Sequence, residues 1–117
     1  MKKTILITGC SSGIGYCVAK GLHARGYRVF ATARRRDSVE MLLAEGLESF
    51  HLNLTDSNSI NFAFEEVMRR TDGELYALFN NGAYGLPGAV EDLSRDALRE
   101  QFETNVFGLQ ELTNLII

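Results

Sequence analysis

The sequence predicts an α/β fold, a doubly wound parallel sheet with strand order 3-2-1-4. Three observations point there. Short apolar runs alternate four times with stretches of helical periodicity. The links between successive runs are long enough for parallel crossovers. A glycine-rich turn, Thr8-Gly9-Cys10-Ser11-Ser12-Gly13-Ile14-Gly15, joins the first run to the first helical stretch.

Each element has its own signal. Thr4-Ile5-Leu6-Ile7 is β-branched and apolar, and reads as strand one. Helix one runs from about Gly13 to Arg25, with Ile14, Val18 and Leu22 at four-residue spacing and Gly26 as its stop. Tyr27 to Ala33 reads as strand two. Asp37-Ser38 caps a short helix through Met41, Leu42 and Leu43 that ends at Gly46. Leu47 to Leu54 holds strand three. Asp56 or Ser57 opens a third helix, on which Ile60, Ala63, Phe64, Val67 and Met68 share one face. Gly73 ends it. Leu75 to Phe79 is strand four, apolar on both faces as helices on each side would require. Asn80 to Leu93, with the only proline, Pro87, is a loop. From Ser94 a long helix continues to the last residue.

Bulk composition narrows the function. The 117 residues make one domain, 45% apolar and 23% charged, which is ordinary globular protein. A net charge of −3 argues against nucleic acid or an anionic membrane surface as partner. No apolar stretch reaches the roughly 18 residues of a membrane span. Met1-Lys2-Lys3 faintly suggests a leader peptide, but the apolar run after it stops at Thr8-Gly9. Cys10 and Cys17 match no metal or disulfide spacing, so idle thiols and a cytoplasmic location are expected. His23 and His51 have no partner set for a metal, and Glu65-Glu66 and Glu91-Asp92 read as solvated faces. No metal site is expected.

Strand order 3-2-1-4 puts the topological switch point between strands one and four, where open α/β sheets bind ligands. The glycine turn and the Asn80-Asn81 loop both face it. Gly9 suits the tight turn, Gly13 a close approach of backbone to ligand, and Gly15 close helix–strand packing. The helix start, with Ile14 in its first turn, offers free N–H groups and a positive dipole end to a diphosphate. This is the dinucleotide-binding (Rossmann) arrangement; a turn without a ligand is the alternative. Strand two ends Thr32-Ala33-Arg34, with no acid until Asp37. A guanidinium there suits a ribose 2′-phosphate through bidentate bonds, which favours NADP(H) over NAD(H). Ser11 or Ser12 can add hydroxyl bonds. Arg34 to Arg36 as a solvated approach to a helix is the plainer reading. Asn53 ends strand three beside the expected adenine, with Leu54 to pack on the ring. Asn81 and Gly82 are expected under the cofactor ribose. Asn105, within a stripe of Leu98, Phe102, Leu109, Leu112 and Ile116, is the one catalytic candidate. It is expected to bond a backbone carbonyl and hold a water, or else to be a satisfied core amide.

These residues resemble the short-chain dehydrogenase/reductase family. T-G-x-x-x-G-x-G stands as Thr8 to Gly15, and Leu52-Asn53-Leu54-Thr55-Asp56, Asn80-Asn81-Gly82-Ala83 and Thr104-Asn105-Val106-Phe107-Gly108 follow in family order. Ala31-Thr32-Ala33-Arg34 looks most like its NADPH-linked reductases and hydroxysteroid dehydrogenases. Two departures stand out: Asn81-Gly82-Ala83 where the family reads Asn-Ala-Gly, and Asn53 for the usual aspartate. The resemblance implies hydride transfer between NADPH and a small-molecule carbonyl or alcohol. It also implies a serine and a Y-x-x-x-K pair beyond Ile117; Tyr76 and Tyr84 have no lysine four residues on. On that basis the chain is expected to be the N-terminal half of a reductase, truncated before the remaining strands and inactive alone. A homo-oligomer through Phe102 to Ile117 is expected likewise. A naturally short, non-enzymatic NADP(H)-binding or regulatory module is the competing reading, and a domain for FMN or a mononucleotide is a third.

Overall fold

A computed structural model describes residues 2–117; Met1, and with it part of the leader reading, lies outside them. Four strands, β1 (Thr4–Ile7), β2 (Arg28–Ala33), β3 (Glu48–His51) and β4 (Ala77–Phe79), form one sheet in the order β3-β2-β1-β4. All neighbours are parallel, with Ile7 opposite both Ala31 and Phe79. This is the predicted order and topology. Helices α1 (Gly13–Ala24), α2 (Arg36–Ala44) and α3 (Ser57–Thr71) alternate with the strands.

Side-chain alternation along β1 builds two separate cores. Ile5 and Ile7 point to one face and pack with Val29, Ala31, Ala19 of α1 and Leu42 of α2. Leu6 points to the other and packs with Phe30, Phe50, Ile60 and Val67 of α3, and Leu112. Burying both faces is what turns the strands into apolar runs. β4 is the exception. Its three residues are only half-buried, because it has a strand on one side alone. Ala77 and Phe79 pack against one core and Leu78 against the other, so each face of the strand is covered in part, as its apolar sequence predicts.

The C-terminal segment differs most from expectation. Ser94 caps a helix as its hydroxyl accepts from Ala97 N at 3.1 Å. That helix is unbroken from Arg95 to Ile116, as expected, but its turn changes along the way. α4 (Arg95–Phe102) passes into a wide π-helical stretch over Glu103–Gly108 before α5 (Leu109–Ile116). A Cβ on Gly108 would fall inside the Leu54 carbonyl. The helix thus crosses the end of the Leu52–Leu54 segment with no room for a side chain, and a wider turn accommodates the crossing. The expected loop before it contains a short 3-10 turn at Val90–Asp92.

A charged lattice ties β2, β3 and α3 together. Arg28 donates to both Glu48 carboxylate oxygens, at 2.7 and 3.0 Å, and to the Arg70 carbonyl at 2.9 Å. Arg70 also donates to Glu66 at 2.7 Å, so Glu66 is an arginine partner and not merely a solvated acid. The hydrogen bond from Arg28 holds the Glu48 carboxyl below its ordinary range. A depressed folded pKa stabilises above the unfolded value and loses that contribution as pH falls below it. Thermal melts are expected to show wild-type stability dropping between about pH 5 and pH 3, and Glu48→Gln following a flatter curve there. The difference is expected to be about 1 kcal/mol or less, as the pair is half-exposed. Identical pH profiles would remove Glu48 from the account.

Candidate functional site

The glycine turn is built by a bonded cluster at the carboxyl ends of three strands. Thr8, buried at the end of β1, accepts from Asn81 N at 3.0 Å and from Gly82 N at 2.7 Å through its hydroxyl. Asn81 Nδ2 donates to the Gly9 carbonyl at 3.0 Å. Cys10 N donates to the Thr32 carbonyl at 2.9 Å, and Thr32 Oγ1 to the Ile7 carbonyl at 3.0 Å. The loops after β1 and β4 and the last residues of β2 are therefore bonded together. Gly9 sits at φ 68°, and a Cβ there would lie 2.8 Å from Gly82 Cα. A Cβ on Gly15 would overlap the Gly9 carbonyl oxygen and the Asn81 amide. Thr8 escaped the sequence reading as a site residue. Its role depends on a loop more than seventy residues away, although its place before Gly9 was a usable signal.

The turn opens onto the start of α1. Ser12 is extended at the N-cap, and its side chain makes no capping bond. Ser11, Ser12, Gly13 and Ile14 are exposed, Ile14 at 69%. The first-turn N–H groups are thus left for an outside acceptor. By contrast, α3 is closed by Asp56, which accepts from Asn58 N at 2.9 Å.

Beside the turn lies a cleft of about 290 Å3. Thr8, Gly9, Ser11, Arg34, Asn53, Leu54, Gly82, Ala83 and Thr104 all border it. The arginine run divides here. Arg35 also borders the cleft but grips Asp37 through two bonds of 3.1 and 3.0 Å, and Arg36 lies 3.5 Å from Glu40. Arg34, at the cleft, has no ion pair among the described residues. It is the guanidinium available to a ligand. Asn53 is half-committed: its Oδ1 accepts from Thr55 N at 3.0 Å and from Thr55 Oγ1 at 2.7 Å. That leaves its amide donors to face a ligand and no free acceptor for an adenine amino group. Asn81, bonded to Gly9, does not border the cleft, whereas Gly82 does. A methyl on Gly82 would stand 3.0 Å from Leu54 Cδ1 and 3.1 Å from Thr8 Oγ1, so the small residue suits the bulk of Leu54.

A larger, shallower depression of about 820 Å3 lies at the opposite end of the sheet, among Lys3, Arg28, Arg70 and Tyr76. Its arginines are already paired with Glu48, and Lys3 lies 4.4 Å from the Tyr76 ring centroid. Free donors, glycine backbone and strand carboxyl ends converge only on the smaller cleft.

Asn105 falls in the π-helical stretch and is half-buried. Both ends of its amide hold one residue: Oδ1 accepts from Tyr84 N at 3.1 Å, and Nδ2 donates to the Tyr84 carbonyl at 2.8 Å. The expected bond to a backbone carbonyl is present. The stripe around it is not uniformly core, however. Leu112 is buried while Leu98 and Phe102 are exposed. Asn105 thus pins the loop after β4 across the mouth of the cleft. Cys10 lies beneath the turn, where burial pushes its thiol up to about 11. It stays protonated and unreactive near neutrality. No group of three or more His, Cys, Asp or Glu clusters as a metal set among the described residues, and no helix of them is long and apolar enough to cross a membrane.

A doubly wound sheet with a glycine turn, an uncapped helix start and an open cleft at its switch point defines a nucleotide-binding α/β protein. The chain belongs to the short-chain dehydrogenase family: the family model described as short chain dehydrogenase matches residues 3–117. It is 40% identical over 113 residues to the uncharacterized oxidoreductase YbbO of Escherichia coli, covering 97% of this chain and 42% of that one. It is 34% identical over 109 residues to an NADPH-dependent 1-acyldihydroxyacetone phosphate reductase of Schizosaccharomyces pombe, covering 92% and 37%. A crystal structure of a short-chain dehydrogenase from Streptomyces avermitilis superposes with a TM-score of 0.91 at 34% identity, over 99% of this chain and 44% of that one. The F189W actinorhodin polyketide ketoreductase, solved with NADPH, gives a TM-score of 0.90 at 28% identity, over 98% and 46%. The chain spans less than half the length of these relatives.

Proposed function

We propose that residues 1–117 are the cofactor-binding part of an NADP(H)-dependent oxidoreductase that acts on a carbonyl or alcohol. The observation carrying this reading is Arg34, which borders the cleft with no ion pair of its own. Ser11, in the turn that leads into α1, borders the same cleft, and α1 begins without a side-chain cap. The two features suit the diphosphate and the 2′-phosphate of NADP, the second of which NAD lacks. The N–H groups of Gly13, Ile14 and Gly15 hold the diphosphate, helped by the Ser11 and Ser12 hydroxyls. Gly9 and Gly82 keep backbone close to it. Arg34 grips the 2′-phosphate. Leu54 packs on the adenine, and Asn53 meets its edge as a donor. NADPH, when bound, supplies hydride to a carbonyl carbon, and NADP accepts it in the reverse direction. Asn105 is a positioning residue for that step, since it holds the loop at Tyr84.

Turnover belongs to the whole protein: Tyr16 and Lys20 do stand four apart, but both bond the Glu45 carboxylate and neither borders the cleft. The exposed rings of Phe102 and Phe107, 6.3 Å apart, and exposed Leu98 and Val106 offer an apolar helix face suited to a second copy. We place the protein in the cytoplasm.

Titration of the chain with NADPH, NADH and FMN tests the cofactor reading. NADPH is expected to bind at least about tenfold tighter than NADH, the ratio for one charge-assisted pair of bonds. FMN is expected to bind weakest. Equal affinity for NADPH and NADH, or tighter binding of FMN, would replace this reading.

A further inference from the structure

Threonines on the helices of this chain satisfy their hydroxyls internally. Thr71 Oγ1 donates to the Val67 carbonyl at 2.8 Å, and Thr113 Oγ1 to the Leu109 carbonyl at 2.7 Å. Thr104 does not. It lies in the π-helical stretch, and its Oγ1 is buried with no hydrogen-bond partner. A buried hydroxyl left unpaired is destabilising, so such groups call for an explanation. The Ser49 hydroxyl, Oγ, is also unpartnered, but it sits within β3 and does not border the cleft. Thr104 borders the cleft, opposite Leu52, Asn53 and Leu54. It also borders an extension of about 260 Å3 that contains Arg34 and Tyr84.

We propose that Thr104 is a further specificity-determining residue: its hydroxyl takes the missing hydrogen bond from the base of the bound nucleotide. The inference rests on the nucleotide reading above. Leu52 and Leu54 supply an apolar wall for a flat ring. Asn53 presents only donors to that ring, because Thr55 occupies its Oδ1. The Thr104 hydroxyl both donates and accepts, so it complements either kind of ring atom. Its Oγ1 is closed off from the open cleft as the side chain stands, so a seated base reaches it after one χ1 step between staggered rotamers.

Thr104→Val keeps the shape and removes the hydroxyl; Thr104→Ser keeps the hydroxyl. The probes are NADPH and 2′,5′-ADP, which carry the base, and inorganic pyrophosphate, which does not. Thr104→Val is expected to weaken NADPH and 2′,5′-ADP by roughly three- to tenfold. Pyrophosphate affinity is expected to stay unchanged, and the melting temperature to hold or rise as the unpaired hydroxyl goes. Thr104→Ser is expected to bind within about twofold of wild type. Unchanged affinity of Thr104→Val for NADPH overturns the proposal while leaving the nucleotide site standing. So does equal weakening of all three probes with a lowered melting temperature, which marks a structural role. Failure of the wild-type chain to bind NADPH or 2′,5′-ADP overturns the nucleotide reading itself, and this inference with it.

Discussion

Gly15→Ala is expected to lower stability by about 3 kcal/mol and to remove measurable NADPH binding. The added methyl would occupy the space of the Gly9 carbonyl oxygen and the Asn81 amide. Neither neighbour can yield cheaply. The Gly9 carbonyl is main chain, and the Asn81 amide is bonded to that same carbonyl at 3.0 Å. Gly9 in turn lies against Gly82, whose N–H is fixed by Thr8 at 2.7 Å. Moving α1 away from the turn would relieve the overlap but would carry off the N–H groups proposed to hold the diphosphate. For a chain of this size the loss corresponds to a drop in melting temperature of roughly 10 °C. Gly21→Ala is the control. It lies in the same helix with nothing within 4 Å of its added Cβ, so it is expected to stabilise by about 0.5–1 kcal/mol. A Gly15→Ala protein that melts like wild type and binds NADPH normally would refute the packing account of the turn.

Arg34→Ala is expected to weaken NADPH by about 10- to 100-fold and to leave NADH within about twofold. The reasoning depends on a difference among three consecutive arginines. Arg35 and Arg36 have Asp37 and Glu40 as partners. A phosphate at either would compete with an existing carboxylate. Arg34 borders the cleft without such a partner, so its bonds to a phosphate would displace only water. Arg35→Ala and Arg36→Ala are accordingly expected to change the NADPH to NADH ratio by no more than about threefold, as exposed pairs contribute little. Added salt is expected to weaken NADPH more than NADH in the wild type, and equally in Arg34→Ala. An unchanged NADPH preference in Arg34→Ala would move the phosphate contact to another residue.

The sheet was legible because its signals are local. Ile5, Leu6 and Ile7 show their alternation within a single strand, and Gly26, Gly46 and Gly73 mark helix ends by their own backbone freedom. Element ends drifted by a few residues. Leu75 and Tyr76 were read into strand four, and Leu52 to Leu54 into strand three, since apolar composition continues past the last ladder bond. The site was half legible. The glycine spacing announces itself, and Arg34 is legible as a cation at the end of strand two, though not as the unpaired one of its run. Thr8 and Asn81 are different. Their roles arise from bonds between residues far apart in the chain. Asn105 was singled out, but its grip on Tyr84 depends on how the loop after β4 folds back.

By itself, then, the order of residues determined the alternating strands and helices, the parallel sheet and the glycine-rich turn. Periodicity, capping and glycine freedom act over a few neighbouring residues and can be read there. Tertiary structure alone decided that the last helix widens where Gly108 crosses Leu54, which leaves Thr104 without its usual carbonyl partner. It also decided that of the two arginines bordering the cleft Arg35 is held by Asp37, while Arg34 has no ion pair among the described residues. Both outcomes depend on which distant atoms come within about 4 Å, and only the packed chain sets those distances.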